Sequence, residues 1–337
     1  MPNAEPLATS IAGVPLRNPV LLAAGTCGTL DEMGDVLPLS GIGGLVTKSI
    51  TAQPREGTLT WRVVECDVGM LNAIGLANVG IEGFVEHYGP RVAGVPTTVV
   101  ASVAGFSIED YVRVAGSLGE IAGVKAVELN VSCPNVQGGT EFGVDPRSLA
   151  ELVRQVRSAL PRTPLWVKLP PIAVGMPSII DVAKAAIDPA SALGTTHGPG
   201  AAPSPTAGPA NRPGADALCL CNTVPAMAID VESRHPRLAN VTGGLSGPAV
   251  HPIAVRLVHL VYQQIALSTS TPLVGIGGVT KWEAAAEFVL AGASAVQMGT
   301  SLMADPRSPL RVIRGLEKWV KRQGVAGIGE LVGAVKV

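Results

Sequence analysis

The sequence predicts a (β/α)8 barrel, and its length, its apolar runs and the residues that end those runs support this fold. A chain of 337 residues has room for one large α/β barrel or two smaller domains. Eight short apolar runs recur, at residues 20–24, 44–49, 97–103, 125–131, 164–169, 215–222, 272–276 and 295–299. Most are continuous, which is typical of strands covered on both faces. Amphipathic stretches separate most of them, so residues 1–337 are expected to form a single barrel domain. A doubly wound sheet is the alternative, but it normally contains fewer units.

Composition and charge exclude several function classes. Hydrophobic residues make up 47% of the chain, charged residues 15%, and the formal net charge is -1. This balance predicts a sizeable core and gives no electrostatic footprint for nucleic acid or an anionic membrane. No apolar run is long enough to span a bilayer, and no positive residue precedes Arg17, so a signal peptide is not expected. Five cysteines without paired spacing favour reduced thiols in a cytoplasmic protein.

Polar and glycine residues fall at the same end of run after run, which is how a barrel builds its active face. The eight ends are Ala24-Gly25-Thr26, Thr47-Lys48-Ser49, Ser102-Val103-Ala104-Gly105, Asn130 to Asn135, Lys168-Leu169-Pro170, Cys221-Asn222-Thr223, Gly275-Ile276-Gly277-Gly278 and Gly299-Thr300. A lysine that ends an apolar run often packs its stem and exposes its head. Two such lysines, Lys48 and Lys168, on one barrel face favour ligand binding instead.

The fourth of these ends carries a candidate catalytic thiol. Residues 127–131 predict a buried strand, and Pro134 forces the chain to turn out immediately after Cys133. Gly138 and Gly139 follow in a loop. A thiol at the hinge of a glycine-containing loop suggests a catalytic group under a lid. A buried structural cysteine is the other interpretation, and these residues alone leave both open.

Several glycine and cysteine patterns suggest or exclude cofactors. Gly275–Gly278 and Gly299-Thr300, after the last two predicted strands, match the usual barrel phosphate site. The glycines at 243–247, before a helical pattern from about Val250, fit either an anion site or a plain turn. No G-x-G-x-x-G opens a helix, so no Rossmann site is expected. Cys219-x-Cys221 resembles half a metal site, but nothing completes it, and no metal is predicted.

Residues 188–213 interrupt the pattern. They contain six prolines, four glycines and no aromatic residue. Such a stretch cannot bury a core, so a flexible loop insertion is predicted. It follows a helical pattern at 177–187 and precedes the sixth predicted strand, on the side away from the polar strand ends. It is expected to be dispensable for chemistry and the first site of proteolytic nicking.

Four motifs together resemble the dihydroorotate dehydrogenases, and most closely the catalytic subunit of the class 1B enzymes. They are Asn130 to Asn135 (Asn-x-Ser-Cys-Pro-Asn), Thr47-Lys48-Ser49, Asn72-Ala73-Ile74-Gly75-Leu76 and the segment Ala239 to Gly247. The resemblance covers about residues 14–335 except the proline-rich insertion. It implies an FMN-binding (β/α)8 barrel that oxidises dihydroorotate to orotate in pyrimidine synthesis.

The resemblance also implies roles for particular residues. Cys133 would be the base that removes a proton from C5 while hydride leaves C6 for the flavin N5. The substrate would be surrounded by Lys48, Asn72, Ala73, Ile74, Gly75, Leu76, Asn130, Asn222 and Thr223. FMN would be surrounded by Ala24, Lys48, Ser49, Ser102, Asn130, Lys168, Cys221, Gly247, Gly277, Gly278, Gly299 and Thr300. Ser102 stands where the class 1B pattern has Asn.

The route of the electrons follows from what the sequence lacks. It has no NAD-binding Rossmann motif, no cysteine run for an iron–sulfur cluster, and little chain before the first barrel strand for a quinone-reaching extension. The class 1B resemblance therefore implies a separate subunit carrying FAD and an iron–sulfur cluster, beside a homodimer of this chain. Lys168-Leu169-Pro170-Pro171 resembles class 1A, which reduces fumarate. The sequence also leaves open an FMN barrel acting on free pyrimidines or tRNA uridine, and a flavin-binding barrel that has lost catalysis.

Overall fold

A closed parallel barrel of eight strands forms the body of the protein. The computed structural model describes residues 5–132, 142–195 and 212–336. Its strands are β1 (Thr9–Ile11), β2 (Val14–Leu16), β3 (Val20–Leu22), β4 (Gly44–Val46), β5 (Val63–Cys66), β6 (Gly69–Asn72), β7 (Thr98–Val103), β8 (Val124–Asn130), β9 (Leu165–Leu169), β10 (Ala217–Leu220), β11 (Val224–Ala226), β12 (Ile229–Asp230), β13 (His235–Pro236), β14 (Gly243–Ser246), β15 (Leu273–Ile276) and β16 (Ala293–Met298). The barrel order is β3-β4-β7-β8-β9-β10-β15-β16, closed by pairing of β16 with β3. All eight predicted barrel strands are confirmed, and a doubly wound sheet is excluded.

Helices surround this barrel. They are α1 (Gly80–His87), α2 (Gly89–Val92), α3 (Ile108–Gly119), α4 (Pro146–Ala159), α5 (Ile179–Ile187), α6 (Pro189–Leu193), α7 (His251–Val261), α8 (Leu267–Thr269), α9 (Trp282–Ala291), α10 (Ser301–Ala304) and α11 (Ser308–Gln323). Helix α4 shows why such a segment folds as it does. The Asp145 side chain caps it by accepting from the backbone N–H of Ser148 at 2.8 Å. Leu149, Leu152 and Val156, on one helical face, are fully buried.

Alternation along the barrel strands divides the interior into layers. On β8, Val127 and Leu129 belong to the core between barrel and helices, and Ala126 belongs to the core inside the barrel. The inner core closes the N-terminal end with Ile11, Val14 and Leu16 of the β1–β2 hairpin. The next inward positions towards the C-terminal end are polar, and Glu128 is one of them. The barrel is therefore apolar at its base and polar beneath its upper rim.

A separate antiparallel sheet lies at the C-terminal end of the barrel. Its four strands run in the order β11-β14-β6-β5, and the β12–β13 hairpin lies apart from it. Residues Gly243–Ser246 are its strand β14, so they do not form the glycine turn that the sequence suggested. Glycine is still required there, because a Cβ on Gly243 would lie 2.4 Å from the Asn72 carbonyl oxygen. The sheet holds residues from two distant parts of the chain together.

The predicted loop at 188–213 needs a correction at its start. Pro189–Leu193 form helix α6, capped by the Asp188 side chain, which accepts from the Ser191 N–H at 3.1 Å. Pro189 is buried. Arg212 donates to Thr271 Oγ1 at 3.0 Å, just before the N-terminal end of β15. Proline was compatible with this helix because it occupies the first position, where no N–H is needed. The centre of the segment, 196–211, lies outside the described residues.

Candidate active site

A cavity of about 560 Å³ opens at the C-terminal end of the barrel, where strand ends meet the antiparallel sheet. Most residues predicted for the site line it: Ala24, Lys48, Ser49, Asn72, Ile74, Leu76, Asn130, Lys168, Cys221, Asn222, Thr223, Gly247, Gly277, Gly278, Gly299 and Thr300. These residues come from all parts of the chain. The shared polarity of the strand ends, seen in the sequence, therefore corresponds to one site.

Three predicted residues do not line the cavity, and each has a structural reason. Ala73 and Gly75 lie just after strand β6, and neither lines the cavity, although Asn72, Ile74 and Leu76 do. The Ala73 N–H donates to the Arg62 carbonyl at 2.9 Å, and the Gly75 carbonyl accepts from Arg55 Nε at 3.2 Å. Both therefore bind the neighbouring 55–62 segment rather than the cavity.

Ser102 is the third residue outside the cavity wall. It is fully buried, and its Oγ lies 2.8 Å from the Oγ of Ser49, which does line the cavity. Its backbone N–H donates to Thr47 Oγ1 at 3.0 Å. Ser102 is too short to reach past Ser49, so it supports the wall from behind. Cys133, the predicted base, lies outside the described residues.

Carboxamides form one wall of the cavity. Asn222 Nδ2 donates to Asn130 Oδ1 at 3.0 Å, and Asn222 Oδ1 accepts from the backbone N–H of Thr223 at 2.8 Å. Asn72 Nδ2 donates to the Gly244 carbonyl at 3.1 Å. These bonds fix the orientation of each amide while leaving further donors and acceptors for a ligand. The wall can therefore recognise a ring with imide-like edges.

Lys48 supplies positive charge beside this wall. Burial lowers the pKa of its ammonium from the usual 10.5, Arg62 lowers it further, and Cys27 acts in the opposite direction. A lowered pKa means that the charged form is costly here without a ligand, and an anionic ligand would offset that cost. Lys48 is thus suited to bind a carboxylate.

The buried thiols around the site are poor bases. Burial raises the pKa of Cys221 to about 12, although Lys168 lowers it somewhat. Burial, aided by Glu32, also raises the pKa of Cys27 to about 12. Thiols with such values stay protonated near neutral pH, so these two fill space rather than transfer protons.

A glycine corner closes one end of the cavity; it consists of Gly247, Gly277 and Gly278, together with Thr300. All three glycines have positive φ, at 93°, 139° and 67° respectively. A Cβ on Gly278 would lie 2.8 Å from the Gly247 carbonyl oxygen. His251 Nδ1 contacts the Gly277 carbonyl at 2.8 Å, and its Nε2 contacts Glu287 at 2.9 Å, which holds the turn in place. Side-chain-free backbone in such turns approaches an anion closely. The corner is suited to a phosphate group, and the cavity beside it has room for a ring system.

Part of the cavity wall carried no motif in the sequence. Residues of the β5–β6 hairpin, including Glu65, Cys66, Asp67 and Val68, line the cavity, and so does Gln297. The position of the hairpin depends on pairing between β6 and β14, which no local pattern predicts. Gln297 could have been identified from the sequence, because it is a polar residue inside the last apolar run. In the structure it is only 1% exposed.

Neither a metal site nor a membrane span is found in the described ranges. Among residues 5–132, 142–195 and 212–336, no group of three His, Cys, Asp or Glu side chains is placed to hold a metal ion. Over the same ranges, no helix combines the length and apolar character needed to cross a bilayer.

Comparisons with known proteins agree with this architecture. The family model described as dihydroorotate dehydrogenase matches residues 6–196 and 209–320, which leaves out the centre of the proline-rich segment and the two ends of the chain. The chain is 43% identical over 331 residues to a protein of Pelobacter propionicus called "Dihydroorotate dehydrogenase B (NAD(+)), catalytic subunit", covering 98% of each chain. Proteins of the same name from Desulforudis audaxviator and Bacteroides fragilis are 43% and 40% identical, covering 97% and 98% of this chain and 96% and 99% of theirs. With a family match over most of its length and relatives of this identity, the chain belongs to the dihydroorotate dehydrogenase family.

Proposed function

We propose that this chain oxidises dihydroorotate to orotate in pyrimidine biosynthesis, with FMN as its cofactor, and passes the electrons to NAD through a partner subunit. One observation carries the proposal. A single cavity joins a glycine corner suited to phosphate with an amide wall and a buried lysine suited to a carboxylate on an imide-containing ring. Family membership supports the same activity.

Substrate binding would use the amide wall. Dihydroorotate presents one carboxylate and two imide-like edges. Lys48 would pair with the carboxylate, and Asn72, Asn130 and Asn222 would bind the edges through amide donors and acceptors. The Asn130–Asn222 hydrogen bond keeps both amides oriented before the substrate arrives. The wall would thus select both the position and the face of the ring.

Proton removal would be the task of Cys133, which the motif Asn-x-Ser-Cys-Pro-Asn identifies. An ordinary thiol has a pKa of about 8.5, close enough to neutral for a base when its surroundings help. Cys133 would take the proton from C5, and the hydride leaves C6. FMN, when bound, supplies the acceptor for that hydride. Lys168, Ser49 and the glycine corner would hold the cofactor, since they line the same cavity.

A partner subunit would complete the electron path. The relatives quoted above are named catalytic subunits of NAD(+) enzymes. The part of this chain that the structure describes contains one barrel with its added sheet, which offers no Rossmann unit for NAD. We therefore propose a cytoplasmic assembly in which this chain forms a homodimer and docks an FAD and iron–sulfur subunit.

Anaerobic titration tests the proposal. Purified chain should be yellow, and dihydroorotate should bleach the flavin absorption, whereas dihydrouracil should not, because it lacks the carboxylate for Lys48. If neither compound reduces the flavin, the proposed activity is wrong. Bleaching by dihydrouracil alone would instead favour a related barrel acting on free pyrimidines.

Replacement of the base gives a sharper test. Cys133→Ala should keep FMN but lose roughly 10²–10⁴-fold in the rate of flavin reduction, the usual contribution of a general base. Cys133→Ser should retain some activity only at high pH, because a hydroxyl is a far weaker base. Stopped-flow reduction measures both rates. An alanine variant that reduces its flavin at the wild-type rate would remove Cys133 from the mechanism.

A further inference from the structure

A polar layer lies directly beneath the cavity, inside the barrel. It consists of Glu128 on β8, Lys168 on β9, Cys219 on β10 and Gln297 on β16. Lys168 and Gln297 line the cavity, whereas Glu128 does not and is 0% exposed. Glu128 is therefore a carboxylate that a ligand cannot touch, set under two residues that a ligand can touch.

Glu128 contacts both of these neighbours, Gln297 through a hydrogen bond and Lys168 through an ion pair. Gln297 Nε2 donates to Glu128 Oε2 at 2.6 Å, and Lys168 Nζ lies 3.5 Å from Glu128 Oε1. Because a carboxylate only accepts, it turns the amide nitrogen of Gln297 towards itself and the amide oxygen away. That oxygen is buried and has no hydrogen-bond partner among the described residues. The layer thus contains the Lys168 ammonium and a buried amide oxygen without a partner, both in residues that line the cavity.

We propose that Glu128 is a positioning residue that holds Lys168 and Gln297 at the floor of the cavity and offsets the charge of Lys168 towards a bound flavin ring. This inference rests on the proposed FMN binding. A flavin ring gains negative charge on reduction, so an uncompensated ammonium beside it would favour the reduced form. The Glu128 carboxylate opposes that effect at short range, where the barrel interior screens charge weakly.

A second buried ion pair provides a matched control. Asp216 is 1% exposed, pairs with Arg157 Nη1 at 2.6 Å, and accepts from the Leu165 N–H at 2.8 Å. It precedes β10, at the opposite end of the barrel from the cavity, and it lines no part of that cavity. Asp216→Asn therefore removes a buried carboxylate from the same barrel without changing the charge at the site.

The experiment measures the midpoint potential of FMN bound to the full chain, together with the FMN Kd and the melting temperature. Glu128→Gln should raise the potential by about 30 mV or more, which is a tenfold change in the two-electron equilibrium. Asp216→Asn should lower the melting temperature but leave the potential unchanged. If Glu128→Gln lowers only the melting temperature, Glu128 is merely structural and the inference is overturned.

A third variant covers the case in which Glu128→Gln does not fold. Gln297→Met removes the donor to Glu128, so the carboxylate is less compensated and the potential should fall. An unchanged potential in this variant would also overturn the inference. Failure of the wild-type chain to bind FMN would instead refute the proposed function. A flavin reducible by dihydroorotate, with equal potentials in all variants, would refute this inference alone.

Discussion

The role of a glycine in this protein depends on the atoms that surround it. Gly278 and Gly324 have nearly the same positive φ, 67° and 70°. A Cβ on Gly278 would lie 2.7 Å from the His251 Cβ and 2.8 Å from the Gly247 oxygen, whereas nothing lies within 4 Å of one on Gly324. Gly324 only ends helix α11, which is a common use of glycine. Gly278 is needed for a close approach of two turns at the cavity.

This pair of glycines gives a prediction at the residue scale. Alanine costs about 1–3 kcal/mol of backbone strain at either position. Only Gly278→Ala should also push the glycine corner apart, so its FMN Kd should rise by tenfold or more, about 1.4 kcal/mol. Gly324→Ala should lower the melting temperature and keep the wild-type Kd. Equal Kd values for the two variants, from flavin fluorescence titration, would mean that the corner does not hold FMN.

At the scale of elements, the added sheet turns an ordinary barrel end into an enclosed site. Strand β6 pairs with β14, and β5 pairs with β6, so the hairpin lies against residues that follow it by more than a hundred positions. The Ala249 N–H donates to the Val68 carbonyl at 3.0 Å, which joins the hairpin turn to the glycine corner. The same strands carry Asn72 and Ser246 to the cavity. Enclosure therefore depends on pairing between distant segments.

The proline-rich segment gives a prediction at this scale. Helix α6 packs on α4 and buries Pro189, whereas residues 197–208 fall outside the family match. Replacement of residues 196–211 by a short Gly-Ser linker should keep dihydroorotate oxidation, because changing loop length costs only about 0.6 kcal/mol per doubling. Deletion of Pro189–Leu193 should instead lower the melting temperature clearly. Loss of FMN in the linker variant would show that the segment supports the site.

At the scale of the whole molecule, the position of the cavity limits where a partner subunit could dock. The cavity lies at one end of the barrel, and the hairpin residues Glu65 to Val68 form part of its edge. If the flavin binds in this cavity, as proposed above, a partner subunit that takes its electrons would have to approach this end. The base of the barrel, closed by Ile11, Val14 and Leu16, gives no access.

An assay of the purified chain alone tests this arrangement. With dihydroorotate, the bound flavin should be reduced, while NAD should be reduced only at the background rate, because no partner subunit is present. NAD reduction by this chain alone would contradict the partner proposal. Rapid turnover with fumarate would place the protein with the class 1A enzymes, as Pro170-Pro171 suggested.

The sequence by itself determined the barrel and most of the site. Buried parallel strands read as continuous apolar runs, and a barrel collects their C-terminal ends in one place, so local patterns were enough to select Lys48, Asn130, Lys168 and Asn222. The apolar runs did not predict helix α6, because the segment that contains it, residues 188–213, has the proline and glycine content of a loop.

Only the tertiary structure decided which distant residues contact those that line the cavity. Asn72 and Gly244 are 172 residues apart and joined by a hydrogen bond, a contact that no local pattern encodes. The same holds for Ser102 behind Ser49 and for Glu128 beneath Gln297, which lies 169 residues away. Strand alternation predicts which side chains share a face of the sheet. Contacts between residues that are distant in sequence determine which groups those side chains touch. The polar residues at the strand ends could therefore be predicted from the sequence. The buried residues that contact them, Ser102 and Glu128, could be identified only from the fold.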